Sequence, residues 1–159
     1  MLDLIPSELL QPTAKKKMWA ESPFKDFESL HPKTKGGRGE QIAEAILSAK
    51  GEDVTPRCNS DHDIVVNGVT TEIKTSCMSE KGVYSFLQVR PSQDYEQMLF
   101  LCVSPQNIRM FFMDKETIMD NIEEGALRKQ HGGKKGDGIT YLFYPTEQDL
   151  LDMGAFEYV

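Results

Sequence analysis

The chain has 159 residues, of which 39% are hydrophobic and 27% are charged, and a net charge of −7. This length predicts one domain, and the absence of any apolar run near the roughly 20 residues that span a bilayer argues against a membrane protein. Three cysteines without paired spacing argue against a disulfide framework or a zinc site, so we expect a soluble cytoplasmic protein.

Residues 1–35 carry the weakest pattern and form a less defined N-terminal segment of the single domain 1–159. The stretch from Leu4 to Leu10 predicts a short helical turn. The run 15–17, Lys-Lys-Lys, either contacts a phosphate backbone or keeps the surface solvated, and solvation is the ordinary role of such a run. No repeat or low-complexity tract indicates a second domain.

The first clear element is a helix predicted over residues 40–50. The segment 36–39, Gly-Gly-Arg-Gly, breaks the chain before it, and Gly51 ends it. Glu40 stands at the edge of the apolar stripe and can face inward. A strand is expected around Val54. The stripe itself consists of Ile42, Ala43, Ala45, Ile46, Leu47 and Ala49.

A tight turn is predicted at residues 67–68, because Asn-Gly between two β-branched runs tolerates the positive φ angles of a type I′ hairpin. Counting outward from the turn pairs Val66 with Val69 and Asp63 with Glu72. Asp61 could take the place of Asp63 as a ligand, but the hairpin register favours Asp63.

Alternation along the two strands divides the hairpin into two faces. One face is predicted to be core and consists of Ile64, Val66, Val69, Thr71 and Ile73. The other face carries Asp63, Glu72 and Lys74, and we expect it to carry chemistry.

The two acids of that second face predict a cation site. Carboxylates directly opposite on neighbouring strands lie roughly 4.5–5.5 Å apart at Cβ and repel unless something positive lies between them. Magnesium suits such oxygen ligands, because it takes one or two carboxylates together with a phosphate. Lys74 reaches the same space and can orient or activate a water. The three side chains therefore indicate a phosphodiester-cleaving site.

The spacing of Asp63 from Glu72-Ile73-Lys74 resembles the Asp-(x)n-(Asp/Glu)-x-Lys signature of the PD-(D/E)XK nuclease superfamily, with His62 where many members have Pro. The resemblance implies an α/β fold with a restriction-endonuclease-like mixed β-sheet flanked by helices. It also implies that Asp63 and Glu72 bind Mg²⁺, or Mn²⁺ in its place, beside the carbonyl of Ile73. Lys74 would lie near the attacking water.

The helix predicted over 40–50, its terminal glycine and the following strand resemble the first helix of the same superfamily. There a Glu often supplements the metal site, which implies a catalytic role for Glu40, with Glu44 as the competing choice. The alternative is a solvated Glu in the first helical turn, favoured by the helix dipole.

Alternation over residues 84–90 predicts the next strand. If this strand pairs beside residues 72–74, Gln88 and Arg90 would face the scissile phosphate, a role that suits the bidentate fork of arginine. Restriction enzymes of the superfamily often carry a Gln or similar polar group here. The alternative is a sheet edge with an exposed Arg90.

The rest of the chain alternates helices and strands, which predicts an α/β fold with a mixed sheet. The apolar run 99–104 is placed at the sheet centre. Other predicted strands are 108–113 and 139–144, and the predicted helices are 91–98, 115–124 ended by Gly125, and a last one capped by Thr146 and closed by Gly154.

Residues 128–138 combine four glycines with four basic residues, among them Lys134 and Lys135. They predict a mobile loop that contacts DNA phosphates on binding, or else an ordinary flexible loop. This loop carries +3 and residues 1–39, which include Arg38, carry +2, leaving −12 elsewhere. An acidic chain is compatible with DNA binding if these segments make the contacts and a metal neutralises the site.

Together, the motif and the resemblance imply a Mg²⁺-dependent endodeoxyribonuclease, best described as a small type II restriction endonuclease. Cutting both strands of double-stranded DNA with one site per chain would require a homodimer. A structure-selective or nicking nuclease of the same superfamily, of Holliday-junction resolvase or repair type, is the first alternative. A non-catalytic DNA-binding or interaction module is disfavoured because Asp63, Glu72 and Lys74 are all present.

Overall fold

The computed structural model describes residues 6–56, 61–130 and 138–159. A 3-10 turn at Ser7–Leu10 precedes helices α1 (Ala14–Trp19), α2 (Lys25–Glu28), α3 (Pro32–Ala49), α4 (Lys115–Glu123) and α5 (Glu147–Asp152). The strands are β1 (Val54–Pro56), β2 (Ile64–Val66), β3 (Val69–Cys77), β4 (Phe86–Val89), β5 (Gln97–Val103), β6 (Ile108–Asp114), β7 (Arg128–Lys129), β8 (Tyr141–Phe143) and β9 (Phe156–Tyr158). No helix in these ranges is long and apolar enough to cross a membrane.

The larger of two sheets has six strands in the order β1-β2-β3-β5-β6-β9. Its β3 and β5 pair in parallel, whereas its other neighbours pair antiparallel. The expected α/β fold with a mixed sheet is therefore confirmed, with β5 in the interior as predicted for 99–104. A smaller antiparallel sheet has the order β4-β8-β7.

Both faces of the large sheet are covered, which explains the continuous apolar run of β5. On one face α3 packs through Ala43 and Leu47 onto Ile64, Val66, Ile73, Leu99, Leu101, Val103, Met110 and Phe112. The opposite face carries a second core, which includes Tyr84, Phe86, Tyr95, Met98, Phe100, Phe111, Ile118, Phe143 and Leu150. This second core packs residues of the small sheet, α4 and α5 against β5 and β6 of the large sheet.

The start of α3 corrects the sequence interpretation, because the helix begins at Pro32 rather than at residue 40. The glycines do not break it. A Cβ at Gly39 would lie 2.0 Å from Oγ1 of Thr75, so this glycine allows the helix to touch β3. Such packing outweighs the loss of about 1 kcal/mol per helical glycine relative to alanine. The helix ends before Gly51, as predicted, and this glycine has a φ angle of 90°.

The segment 84–98 contains two further errors of the sequence interpretation. The strand is confined to Phe86–Val89, where Gln88 has φ 53° and the register shifts, and it pairs with β8 instead of β3. No helix follows, since residues 91–96 form turns and β5 already begins at Gln97. Single-strand alternation missed the bulge, which turns both Phe86 and Val89 into the core.

Other predicted elements are confirmed. Helix α4 spans Lys115–Glu123, and α5 has the expected capping box between Thr146 and Asp149. In the N-terminal segment, Thr13 caps α1, whose Trp19 is 2% exposed, so part of this segment belongs to the core. The predicted strand 139–144 is shorter, at Tyr141–Phe143. Strand β9 and the two-residue β7 carried no recognisable sequence signal.

Candidate active site

The hairpin that carries the site has the predicted geometry. Asn67 and Gly68 have φ angles of 49° and 82°, and Val66 pairs with Val69. The side chain of Asn67 accepts from the backbone N–H of Asp53 at 2.9 Å and donates to Oε2 of Glu52 at 2.6 Å. These bonds hold the turn against the segment that leads into β1, and so they help to set the register on which the site depends.

The two strands of the hairpin differ in length, which leaves β3 with an open edge. Strand β2 begins opposite Thr71, whereas β3 continues to residue 77. At this point Asp63 donates its N–H to the Thr71 carbonyl at 3.0 Å, and its Oδ2 accepts from the N–H of Ile73 at 2.7 Å. Because the N–H and C=O of one strand residue point to the same side, the Ile73 carbonyl also faces this edge.

Three predicted site residues come together at the open edge. The carboxyl groups of Glu72 and Asp63 lie close enough for Asp63 to raise the pKa of Glu72, both by repulsion and by a side-chain hydrogen bond that favours the protonated form of Glu72. On the other side, Nζ of Lys74 lies 3.2 Å from Oε1 of Glu72. Two acids and one ammonium group therefore form a contiguous chain of contacts along the strand.

Glu72 has an unusual environment for a carboxyl group. Its side chain is 12% exposed. Burial raises its pKa from 4.5 to about 7, Lys74 opposes this rise, and the neighbouring Asp63 adds to it through repulsion and the shared hydrogen bond. Near neutral pH the carboxyl therefore exchanges its proton readily, and a cation at the same place would favour the ionised form.

The face that carries Glu72 is not open, contrary to the simple division of the hairpin into core and chemistry. In the parallel register Glu72 pairs with Met98 and Lys74 with Phe100, both members of the second core. The ring of Tyr95 is buried, and its hydroxyl has no hydrogen-bond partner in the described chain. Burial raises the pKa of that hydroxyl, and the charge of Glu72 adds to the effect. Nothing in the sequence pattern singled out Tyr95.

Glu40 and Glu44 both line a cleft of about 610 Å³ beside Asp63, together with Arg38. Both glutamates are half-buried. Within residues 6–56, 61–130 and 138–159, no three His, Cys, Asp or Glu side chains are grouped closely enough to hold one metal ion. The choice between Glu40 and Glu44 as an additional acid stays a prediction, as does a DNA contact by Arg38.

The remaining expected DNA contacts lie elsewhere. Because β3 has β5 as its neighbour, the expectation that residues 84–90 pair beside Glu72 is wrong. Gln88 donates its backbone N–H to Gln130 Oε1 at 2.8 Å, and Arg90 Nη2 lies 3.5 Å from Gln88 Oε1. Lys134 and Lys135 lie outside the described residues. A role of these four side chains in DNA binding stays a prediction.

Sequence reasoning missed a second cleft, of about 600 Å³, which begins at Lys74. We call it the lysine cleft, because its wall includes Lys15, Lys35, Lys74 and Lys81. Lys35 belongs to the first part of α3, which was not predicted as helix because glycines follow it. Lys81 belongs to the turn after β3. Apart from Lys74 of the motif, only Lys15, in the triple-lysine run, gave any sequence signal.

Neither a protein-family model nor a curated protein matches the chain. A solved structure that it resembles is that of the bacterial homing endonuclease I-Ssp6803I, with 16% sequence identity, a TM-score of 0.47 and coverage of 74% of this chain and 76% of that chain. This likeness is too distant to assign an activity.

Proposed function

We propose that this protein is a metal-dependent DNA endonuclease that hydrolyses phosphodiester bonds at Asp63, Glu72 and Lys74. The observation that carries the proposal is the contact of two carboxyl groups at the open edge of β3, with Lys74 Nζ 3.2 Å from Glu72 Oε1. A covered carboxyl group whose charged form is disfavoured by burial costs a fold stability. Perturbed carboxyl groups of this kind concentrate at functional sites.

The donor set fits a hard divalent cation. Asp63 and Glu72 offer carboxylate oxygens, the Ile73 carbonyl faces the same edge, and Mg²⁺ prefers oxygen ligands of this kind, as does Mn²⁺. When bound, the ion would stabilise charge on a phosphate oxygen and lower the pKa of a water molecule. The proposed ligands are therefore Asp63, Glu72 and the carbonyl of Ile73.

The chain itself contributes orientation and charge. The Ile73 N–H holds the Asp63 carboxylate at 2.7 Å, so this ligand is oriented before any ion arrives. Lys74 is suited to donate a hydrogen bond to the attacking water and to attract the negative charge that develops on the phosphate. In this role the lysine acts by its position.

Within this class, we propose the restriction type, in which a homodimer cuts both strands of double-stranded DNA at discrete positions. The support is the motif resemblance together with one site per chain, since cutting two strands then calls for two-fold symmetry. A structure-selective or nicking nuclease would use the same three residues. Digestion of a linear duplex separates these activities, because only the restriction type yields discrete double-strand fragments.

The basic activity is tested with purified protein, linear duplex DNA, and Mg²⁺, Mn²⁺ or EDTA. We expect cleavage with either metal and none with EDTA. Asp63→Asn, Glu72→Gln and Lys74→Met should each lower the cleavage rate by about 100-fold or more, whereas Glu116→Gln, a matched change on α4, should leave it unaltered. Wild-type protein that cleaves no DNA with either metal would overturn the proposal in favour of an interaction module.

A further inference from the structure

The lysine cleft concentrates positive charge in a chain whose net charge is −7. It lies between α1, the first turn of α3, the end of β3 and the turn that follows β3. Its polar lining consists of Lys15, Lys35, Lys74, Lys81, Thr75, Ser76, Ser79, Ser85 and one acid, Glu80. Four ammonium groups and several hydroxyl groups around one opening suit a phosphate-bearing ligand.

Two of these lysines have no ion-pair partner in the part of the chain that the structure describes. Lys15 forms an ion pair with Glu28 at 2.7 Å, and Lys74 contacts Glu72. Lys35 and Lys81 form no ion pair with any residue in the described ranges. Their charge is therefore available to an anion from outside the chain.

The position of Lys35 is built into the fold. Gly39 lets α3 touch Thr75 of β3, and the helix then continues back to Pro32, one turn before Lys35. Lys35 also acts electrostatically on the half-buried thiol of Cys77 at the end of β3. The helix thus carries a cation to the strand that bears Glu72 and Lys74.

Gly36 and Gly37 follow Lys35 inside α3. No packing contact in the described structure requires a glycine at either position. In the described structure, no heavy atom lies within 4 Å of the place where a Cβ would stand at either position. Glycine destabilises a helix interior relative to alanine, and its common use is to admit another backbone at close range. Gly36 directly follows Lys35 of the lysine cleft, and Gly37 lines the cleft beside Asp63, so the pair leaves a bare stretch of helix between the two clefts.

We propose that the lysine cleft and this glycine pair hold the phosphodiester backbone of double-stranded DNA on one side of the scissile phosphate, with Lys35 and Lys81 as the phosphate contacts. The inference rests on the proposed function for its orientation, because Lys74 belongs both to the cleft and to the candidate active site. Such contacts position the duplex and read no bases.

The test measures the affinity for a short duplex by fluorescence anisotropy in EDTA, over a range of NaCl concentrations. For Lys35→Gln and Lys81→Gln, we expect the slope of log affinity against log salt to become shallower by about 1 each. Lys50→Gln, at the far end of α3, changes the charge equally and should leave the slope at the wild-type value. An unchanged slope in the Lys35→Gln, Lys81→Gln double variant would overturn the proposal.

The glycine pair gives a second readout. Gly36→Ala with Gly37→Ala should raise the melting temperature and weaken duplex binding at the same time, a combination that damage to the fold does not produce. A more stable variant with wild-type affinity would refute the close approach at the helix.

Cleavage with Mg²⁺ separates the two proposals. If the wild-type protein cleaves DNA while the lysine variants keep the wild-type slope, only the proposal for the lysine cleft is overturned. If the variants show the expected slopes but the wild-type protein cleaves no DNA, the proposal for the lysine cleft is supported and the proposed nuclease activity is overturned.

Discussion

Replacement of Glu72 by glutamine tests the environment of the site without any assumption about DNA. The pKa of Glu72 rises from 4.5 to about 7 in the folded protein, and only 12% of its side chain is exposed. Since this folded-state pKa is raised, its contribution to stability is present at low pH and is lost as the pH rises toward 7. Between pH 5 and pH 8.5 the loss is roughly 2–3 kcal/mol, since one pKa unit corresponds to about 1.36 kcal/mol.

Glutamine at position 72 cannot ionise, so the Glu72→Gln variant should escape that loss. In EDTA, urea unfolding at the two pH values should show that the stability of the variant relative to the wild type increases by roughly 2–3 kcal/mol from pH 5 to pH 8.5. Equal differences at both pH values would refute the reasoning and make Glu72 an ordinary surface carboxyl. Added Mg²⁺ should stabilise the wild type more than the variant at high pH, because only the wild type keeps both proposed ligands.

Four further substitutions test the surroundings of the site. Gly39→Ala would bring a Cβ to 2.0 Å from Thr75 Oγ1, and chemical unfolding should show a loss of about 2 kcal/mol. Tyr95→Phe removes a buried hydroxyl that lacks a partner among the described residues, so the free energy of unfolding should rise by about 1 kcal/mol. If Glu40 supplements the metal site, Glu40→Gln should slow Mg²⁺-dependent cleavage by about 10-fold or more, whereas Glu44→Gln should not. The opposite result would assign the role to Glu44.

Local chemistry made several elements predictable. The positive φ angles of Asn67 and Gly68 are a property of those two residues, and the cap of α5 needs only Thr146 and Asp149. In each case the partners lie within a few positions in sequence. The register of the hairpin, from Val66–Val69 to Ile64–Thr71, follows from this turn.

Features that depend on distant contacts were not predictable from local patterns. The early start of α3 requires Gly39 to meet Thr75, which is 36 positions away. The partner of β4 is β8, more than 50 residues later. The alternation of residues 84–90 therefore could not show that Gln88 and Arg90 lie away from the candidate site. The burial of Glu72 likewise depends on β5 and the second core, which no spacing around residue 72 reveals.

The unequal strands of the hairpin connect the candidate site with the lysine cleft. Strand β2 has three residues and β3 has nine, so the second half of β3 loses its neighbour on that side. An unpaired edge ordinarily invites aggregation, but here the Asp63 carboxylate takes the first free N–H, and α3 covers the strand further on through Gly39. Since the same interval carries Glu72 and Lys74 and leads into the lysine cleft, a phosphate at Lys74 would lie where carboxylates and ammonium groups meet. The shortness of β2 therefore leaves the edge of β3 open beside Glu72 and Lys74, where the proposed substrate would lie.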